Sequence, residues 1–213
     1  MKVALIGASG FIGSCILNEA INRGHHVTGI VRNPDKLPKK HKLTSIKCDA
    51  SNTEDIARAV LGHDAVICAI NPGRVSKENP SPQIETLNSI IEGMKKSKVK
   101  RLLVVGGAGS LEVAPNLQLV DSPEFPSLWR NTALATREMY NILRNETELD
   151  WCFLCPSAII EHGQRTGRFR LSVNKLLKDK NGQSKISLED YSVAMIDELE
   201  DPKHIYQRFT VGY

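Results

Sequence analysis

Three glycines spaced three apart, in Gly7-Ala8-Ser9-Gly10-Phe11-Ile12-Gly13, are the residues whose type and spacing promise chemistry. They follow an apolar run, Lys2 to Ile6, and open a stretch with Ile12, Ile16, Leu17 and Ala20 at helical spacing. A strand that runs through glycines into a helix is what a dinucleotide pyrophosphate needs. Gly7 allows the sharp turn, Gly10 lets the backbone approach a phosphate, and Gly13 lets the helix pack on the sheet. The N–H groups and dipole of that helix favour the anion. Ser9, Phe11 and Ile12 share the loop and belong to the same expected contact. The pattern is Gly-x-x-Gly-x-x-Gly rather than Gly-x-Gly-x-x-Gly.

The residues after each later apolar run extend this cofactor reading. His26 to Val31 reads as a second strand, ending in Val31-Arg32-Asn33 where an acid would bond the ribose hydroxyls of NAD. Arg32 instead suits the 2′-phosphate of NADP, or is simply a solvent-exposed arginine. Asp49, with Ala50 beside it, is either an adenine-side contact or the cap of the following helix. Ala69, Ile70 and Asn71 are expected near the ribose and pyrophosphate. Gly106, Gly107 and Ala108 are expected at the nicotinamide ribose, and Pro156, Ser157 and Ala158 near the carboxamide. Ser110 is the polar candidate for catalysis, with a turn serine as its alternative; Phe125 and Trp129 are candidates to stack on a flat substrate or to anchor packing. Glu161 and His162 look like an acid/base pair, but adjacency alone does not place them on one proton path.

The elements that must position these residues alternate along the chain. Strands are expected at Lys2 to Ile6, His26 to Val31, Leu43 to Cys48, Asp64 to Ile70, Arg101 to Val105 and Trp151 to Cys155. Helices are expected at Phe11 to Asn22, Thr53 to Leu61, Pro82 to Ser97 and Thr132 to Arg144. Short apolar strands alternating with helices mean an α/β fold, a doubly wound parallel sheet of the Rossmann type. Residues 1–213 form one expected nucleotide-binding domain, and from about residue 157 a small C-terminal elaboration on the substrate side. There Gly163-Gln164-Arg165-Thr166-Gly167 reads as a loop, Ser187-Leu188-Glu189-Asp190 opens a helix, and Gln207 to Val211 suits a final strand.

Composition narrows the class of partner. The 28 Lys and Arg against 24 Asp and Glu leave a net charge of +4, too scattered for a nucleic-acid surface. The basic stretch Lys36-Leu37-Pro38-Lys39-Lys40-His41-Lys42 suits a solvated loop. No apolar run approaches the roughly 18 residues of a membrane span, and the N-terminal run has no signal-peptide pattern. A cytoplasmic protein with a small-molecule substrate is expected, its oligomeric state open. The five cysteines are odd in number and dispersed, which fits free thiols. Cys152 and Cys155 sit within one apolar strand, where alternation sends their sulfurs to opposite faces. No metal is expected, because the six histidines lack ligand spacing.

Taken together, the chain resembles the atypical short-chain dehydrogenase/reductase group that includes the NADH-flavin reductase-like proteins and, more distantly, the biliverdin-IXβ/flavin reductases. The resemblance spans the chain. It rests on the glycine motif, Val31-Arg32-Asn33, Val104-Val105-Gly106-Gly107-Ala108-Gly109-Ser110, Asp121-Ser122-Pro123-Glu124-Phe125-Pro126, Asp150-Trp151, Pro156-Ser157-Ala158 and Arg208-Phe209-Thr210-Val211-Gly212-Tyr213. It implies a nicotinamide-binding Rossmann fold, with NADP preferred over NAD, and a reductase activity. The wider superfamily reduces carbonyls with a Tyr-x-x-x-Lys pair. This chain lacks the pair, and Tyr140-Asn141-Ile142-Leu143-Arg144 is its nearest approach. The expectation is hydride transfer from NADPH to FMN, another flavin or a small planar acceptor, which asks few acid/base groups of the protein. An NADP-binding redox sensor without turnover is the alternative, and a sugar-nucleotide epimerase a more distant one.

Overall fold

The computed structural model describes residues 1–70 and 82–213. Its first half runs β1 (Lys2–Ile6), α1 (Phe11–Asn22), β2 (His26–Val31), β3 (Leu43–Lys47), α2 (Thr53–Val60), β4 (Ala65–Cys68), α3 (Pro82–Ser97) and β5 (Arg101–Val105). A small hairpin follows, β6 (Glu112–Ala114) with β7 (Leu117–Gln118), then α4 (Ser127–Arg144) and β8 (Asp150–Cys155). The chain ends with β9 (Ile159–Glu161), β10 (Arg170–Ser172), β11 (Lys185–Ser187), α5 (Leu188–Glu200) and β12 (Gln207–Gly212).

Eight strands form the main sheet in the order β10-β12-β8-β5-β4-β1-β2-β3. Every neighbouring pair is parallel except β10 with β12. The fold is therefore the expected α/β Rossmann-like arrangement. Chain direction across the sheet reverses between β1 and β4, and the crevice beyond that switch point is where such folds take ligands.

The strand sequences fit this position because both faces are covered. Val3 and Leu5 pack with Ile16, Leu17 and Ala20 of α1 and with Tyr191, Met195 and Ile196 of α5. Ala4 and Ile6 pack on the other face with Ile56 of α2, Leu87 and Ile90 of α3, and Met139 and Leu143 of α4. Cys152 joins the first cluster and Cys155 the second, so alternation does separate the two sulfurs. Burial pushes their thiols up, to about 12 for Cys152 and about 11 for Cys155.

Most element ends agree with expectation to within a residue, and two differ by more. The fourth strand is shorter than Asp64 to Ile70, and Ala69 and Ile70 emerge into the crevice. The helix α4 begins at Ser127 rather than Thr132, with Pro126 before it supplying a fixed backbone but no capping side chain. The C-terminal part is less of an appendage than expected. Its α5 shares the main core with α1, and β12 extends the main sheet parallel to β8. Only β9 and β11, which pair with each other, and β10, which pairs antiparallel to β12, stand as additions.

The start of α5 shows how the tail is tied down. Ser187 accepts from the Asp190 N–H at 3.0 Å as an N-cap. The Asp190 carboxylate, however, does not close a capping box. Its oxygens accept from the Thr166 and Gly167 N–H groups, each at 2.8 Å, and from the hydroxyls of Thr166 at 2.6 Å and Tyr213 at 2.8 Å. The Gly163 to Gly167 segment is thereby fixed against the first turn of α5.

Candidate active site

The turn between β1 and α1 is built by glycine at close quarters. Gly7 adopts φ +83°, and a Cβ there would fall 2.4 Å from the Ala69 carbonyl oxygen. At Gly13 a Cβ would fall 2.1 Å from the Gly7 oxygen. These two glycines are required by the protein's own packing. Gly10 is different: its nearest neighbour would be the Gly7 oxygen at 3.2 Å, and it faces the crevice. Gly10 is the N-cap of α1 without a side-chain cap, and the first turn carries no acidic residue. The N–H groups at this helix start suit an anion, and the bare backbone at Gly10 allows one to approach. The cradle fits a pyrophosphate.

The crevice that opens from it has a volume of about 530 Å3. At one end lie Arg32, which follows β2, and Asp49, Ala50 and Ser51, which follow β3. Asp49 accepts from the Ser51 N–H at 3.1 Å and from its hydroxyl at 2.8 Å. These bonds hold its carboxyl below the ordinary value of 3.8, with the Arg32 charge contributing as well. Asp49 is not the cap of α2; Asn52 is, accepting from the N–H groups of Glu54 and Asp55. Arg32 itself is exposed at the rim.

The other end is lined by Ala69, Ile70, Val105, Gly106, Gln83 and two threonines, Thr132 and Thr136. A Cβ on Gly106 would meet the Phe153 ring at 2.5 Å, so packing beneath keeps this floor bare. Gln83 is 4% exposed; its amide donates to the Thr136 hydroxyl at 3.4 Å, while its Oε1 has no partner among the described residues. Among the described lining residues the only titratable side chains are Arg32, Asp49 and Cys48. Burial, with lesser help from nearby Asp55 and Asp49, pushes the Cys48 thiol to about 11. Among the described residues that line the Gly106 end, none carries a general acid.

The sequence-derived candidates divide accordingly. Gly7, Ser9, Gly10, Phe11, Ile12, Arg32, Asp49, Ala50, Ala69, Ile70 and Gly106 all line one crevice, with Gly13 packed behind them. Asn71 lies outside the described residues. Gly107, Ala108, Pro156, Ser157 and Ala158 do not line it. Ser157 is buried, donating to the Val211 carbonyl at 2.8 Å, and the Ala158 N–H donates to the Ser184 hydroxyl at 3.1 Å. Both therefore tie the end of β8 to the C-terminal strands.

Ser110 is 1% exposed, its hydroxyl directed at the Gly107 carbonyl (3.3 Å) and the Cys155 sulfur (3.6 Å). That geometry gives it no face on the crevice. Phe125 sits beneath the Arg130 guanidinium at 5.9 Å, and Trp129 is on the first turn of α4, 53% exposed, rather than in a loop. Tyr140 packs against Trp151 and Phe153 with the Arg208 guanidinium 4.6 Å from its ring centroid. The α4 residues that do reach the crevice are Thr132 and Thr136, two turns and one turn earlier. Their spacing, i and i+4 on one helix face, is visible in the sequence, but only the packing of α4 shows which face points inward.

Comparison with known proteins agrees with this geometry. Residues 7–202 match the NAD(P)H-binding family. The protein YwnB of Bacillus subtilis, uncharacterized, is 39% identical over 216 residues, which cover 99% of this chain and 98% of that one. The crystal structure of a candidate epimerase from Bacteroides thetaiotaomicron is similar with 47% identity and a TM-score of 0.93, over 100% of this chain and 96% of that one. A candidate NADH-flavin reductase from Streptococcus pneumoniae is similar with 32% identity and a TM-score of 0.86, over 100% and 99% of the two chains. Matched from its glycine cradle through α5, the chain belongs to the NAD(P)H-binding family.

Proposed function

We propose that this protein is an NADPH-dependent reductase that passes hydride to a flavin-like or other small planar acceptor. The observation that carries the reading is the asymmetry of the crevice. One end has an anion cradle and an exposed arginine; the other has a bare backbone floor and no general acid among its described lining residues. The α1 N–H groups hold the pyrophosphate, and Arg32 pairs with the 2′-phosphate that distinguishes NADPH from NADH. Bound NADPH supplies the hydride. Gly106, Val105 and the Thr132–Thr136 face confine the reacting rings, and Gln83 Oε1, without a partner among the described residues, offers an acceptor for a ligand N–H. The balancing proton comes from solvent, which suits a conjugated ring better than an isolated carbonyl. The S. pneumoniae neighbour bears an NADH-flavin reductase name, in keeping with this reading.

The test is NADPH oxidation by purified protein with and without FMN, with NADH in parallel. Acceptor-dependent turnover favouring NADPH is the expected result. Tight NADPH binding with no turnover on flavins, bilins and quinones would replace the reductase with a redox sensor. Sugar interconversion without net NADPH consumption would favour the epimerase reading that the B. thetaiotaomicron neighbour's name suggests. Arg32→Ala is expected to weaken NADPH binding about tenfold, the lower end for a charge-assisted bond because the arginine is exposed. NADH affinity should stay within about twofold, and the NADPH effect should shrink as salt rises. Equal losses for both cofactors would remove Arg32 from 2′-phosphate recognition.

A further inference from the structure

Cys15, His162 and Glu189 are remote in sequence and adjacent in the fold. Cys15 is on α1, just past the cradle; His162 follows β9 directly; Glu189 lies in the first turn of α5. One donor atom from each, a thiol sulfur, an imidazole nitrogen and a carboxylate oxygen, lies within 4.8 Å of the other two. Among the described residues this is the one group of three such side chains that converges.

The neighbours hold the group in place without using it up. Glu189 Oε2 accepts from the Gly163 N–H at 2.8 Å, while Oε1 faces His162 Nδ1 at 3.2 Å. The Phe11 ring meets the imidazole edge-on, with centroids 5.5 Å apart. A His–Glu pair alone would be an ordinary surface ion pair. The thiol beside it changes the chemistry, because sulfur, imidazole and carboxylate together are a ligand set for zinc. A nucleophilic cysteine is the other use of these three side chains. Burial and the Glu189 charge push the Cys15 thiol up, opposite to what a nucleophile needs.

We propose that Cys15, His162 and Glu189 bind a borderline-soft divalent cation, Zn2+ before others, with a fourth position open to solvent. The thiol releases its proton to solvent as the sulfur–metal bond forms, and the imidazole and carboxylate each donate a lone pair; nothing is oxidised or reduced. Tetrahedral zinc wants donor atoms roughly 3.2–3.8 Å apart. The necessary closure falls to His162, which is 67% exposed and can turn. These ligands come from three separate elements, so no ligand spacing along the chain announces them, contrary to the expectation of no metal. Because Phe11 also lines the crevice, the cation would fasten the His162–Gly163 corner to the rim of the cofactor site.

The experiment is titration of untagged, chelator-treated protein with Zn2+ by calorimetry and with Co2+ by absorption spectroscopy. One equivalent of Zn2+ is expected, with proton release, and Co2+ should give a thiolate charge-transfer band. Cys15→Ser and His162→Ala should each weaken Zn2+ binding about 100-fold or more and leave the metal-free melting temperature unchanged. Cys15→Ser should also abolish the cobalt band. No stoichiometric binding, binding equal in wild type and variants, or binding without the thiolate band would each overturn the proposal. None of these outcomes depends on which acceptor the crevice serves.

Discussion

Gly10→Val should lose NADPH and NADH alike, by about 100-fold or more, while the protein stays folded. Gly10 has φ −79° and ψ 173°, an extended conformation open to any residue. A Cβ there has one neighbour within 4 Å, the Gly7 oxygen at 3.2 Å, close enough to ask a shift of a few tenths of an ångström. Gly10 lines the crevice, so the added methyl groups are expected to crowd the space in front of the α1 N–H groups. Losing two charge-assisted bonds to phosphate, at about 1.5–3 kcal/mol each, gives the expected loss. Replacing an N-cap glycine by valine costs about 1 kcal/mol, or a few degrees in melting temperature. Gly13→Ala is the contrast, because its Cβ would lie 2.1 Å from the Gly7 oxygen and the turn itself must move. Titration by fluorescence with a parallel melt checks both. Undiminished binding by folded Gly10→Val would take the cradle out of cofactor recognition.

The contrast between these glycines shows what sequence could and could not reveal. A strand stopped by glycine and restarted as a helix is a local pattern, so β1, the cradle and α1 were legible, as was the parallel α/β order. The strand-end residues Ala69, Ile70 and Gly106 followed from topology alone, because carboxyl ends of parallel strands share one edge. What failed was whatever depends on the rotation of an element about its axis. Pro126 gives no polar cap to announce the start of α4. Its crevice-facing residues, set by packing on the sheet, are Thr132 and Thr136, while Tyr140 packs against the core beside Trp151 and Phe153. Ser110 fell within the right loop but turned its hydroxyl inward. The Cys15–His162–Glu189 group needs α1, α5 and the end of β9 to be docked before it exists at all.

One carboxylate ties the Gly163 to Gly167 segment to α5, and Asp190→Ala is expected to destabilise the protein by about 3–5 kcal/mol. Asp190 is fully buried, and its two oxygens receive four hydrogen bonds, from Thr166 twice, Gly167 and Tyr213. Alanine would strand those donors in a site without water access, and melting should fall by about 10 °C. Burial alone would raise the Asp190 pKa, but the bonds from Thr166, Gly167 and Tyr213 outweigh it and hold the value below 3.8. A depressed carboxylate stabilises the fold fully above its unfolded pKa, and that contribution is lost as pH falls through the folded one. Asp190→Asn, similar in shape but unable to titrate, should therefore be weaker than wild type at pH 7 and approach it as pH falls through about 4 and below. Taking the difference between the two removes other depressed carboxylates, such as Glu200 and Glu146, which both proteins share. Denaturant melts at both pH values read it directly. A loss under about 1 kcal/mol for alanine, or a wild-type-to-asparagine gap that does not narrow in acid, would mean that the segment is held chiefly elsewhere. The bidentate Arg165–Glu19 pair, at 2.8 and 2.7 Å, would then have to carry it together with the Gly163 N–H bond to Glu189 and the Ser187 hydroxyl bond to the Gln164 carbonyl.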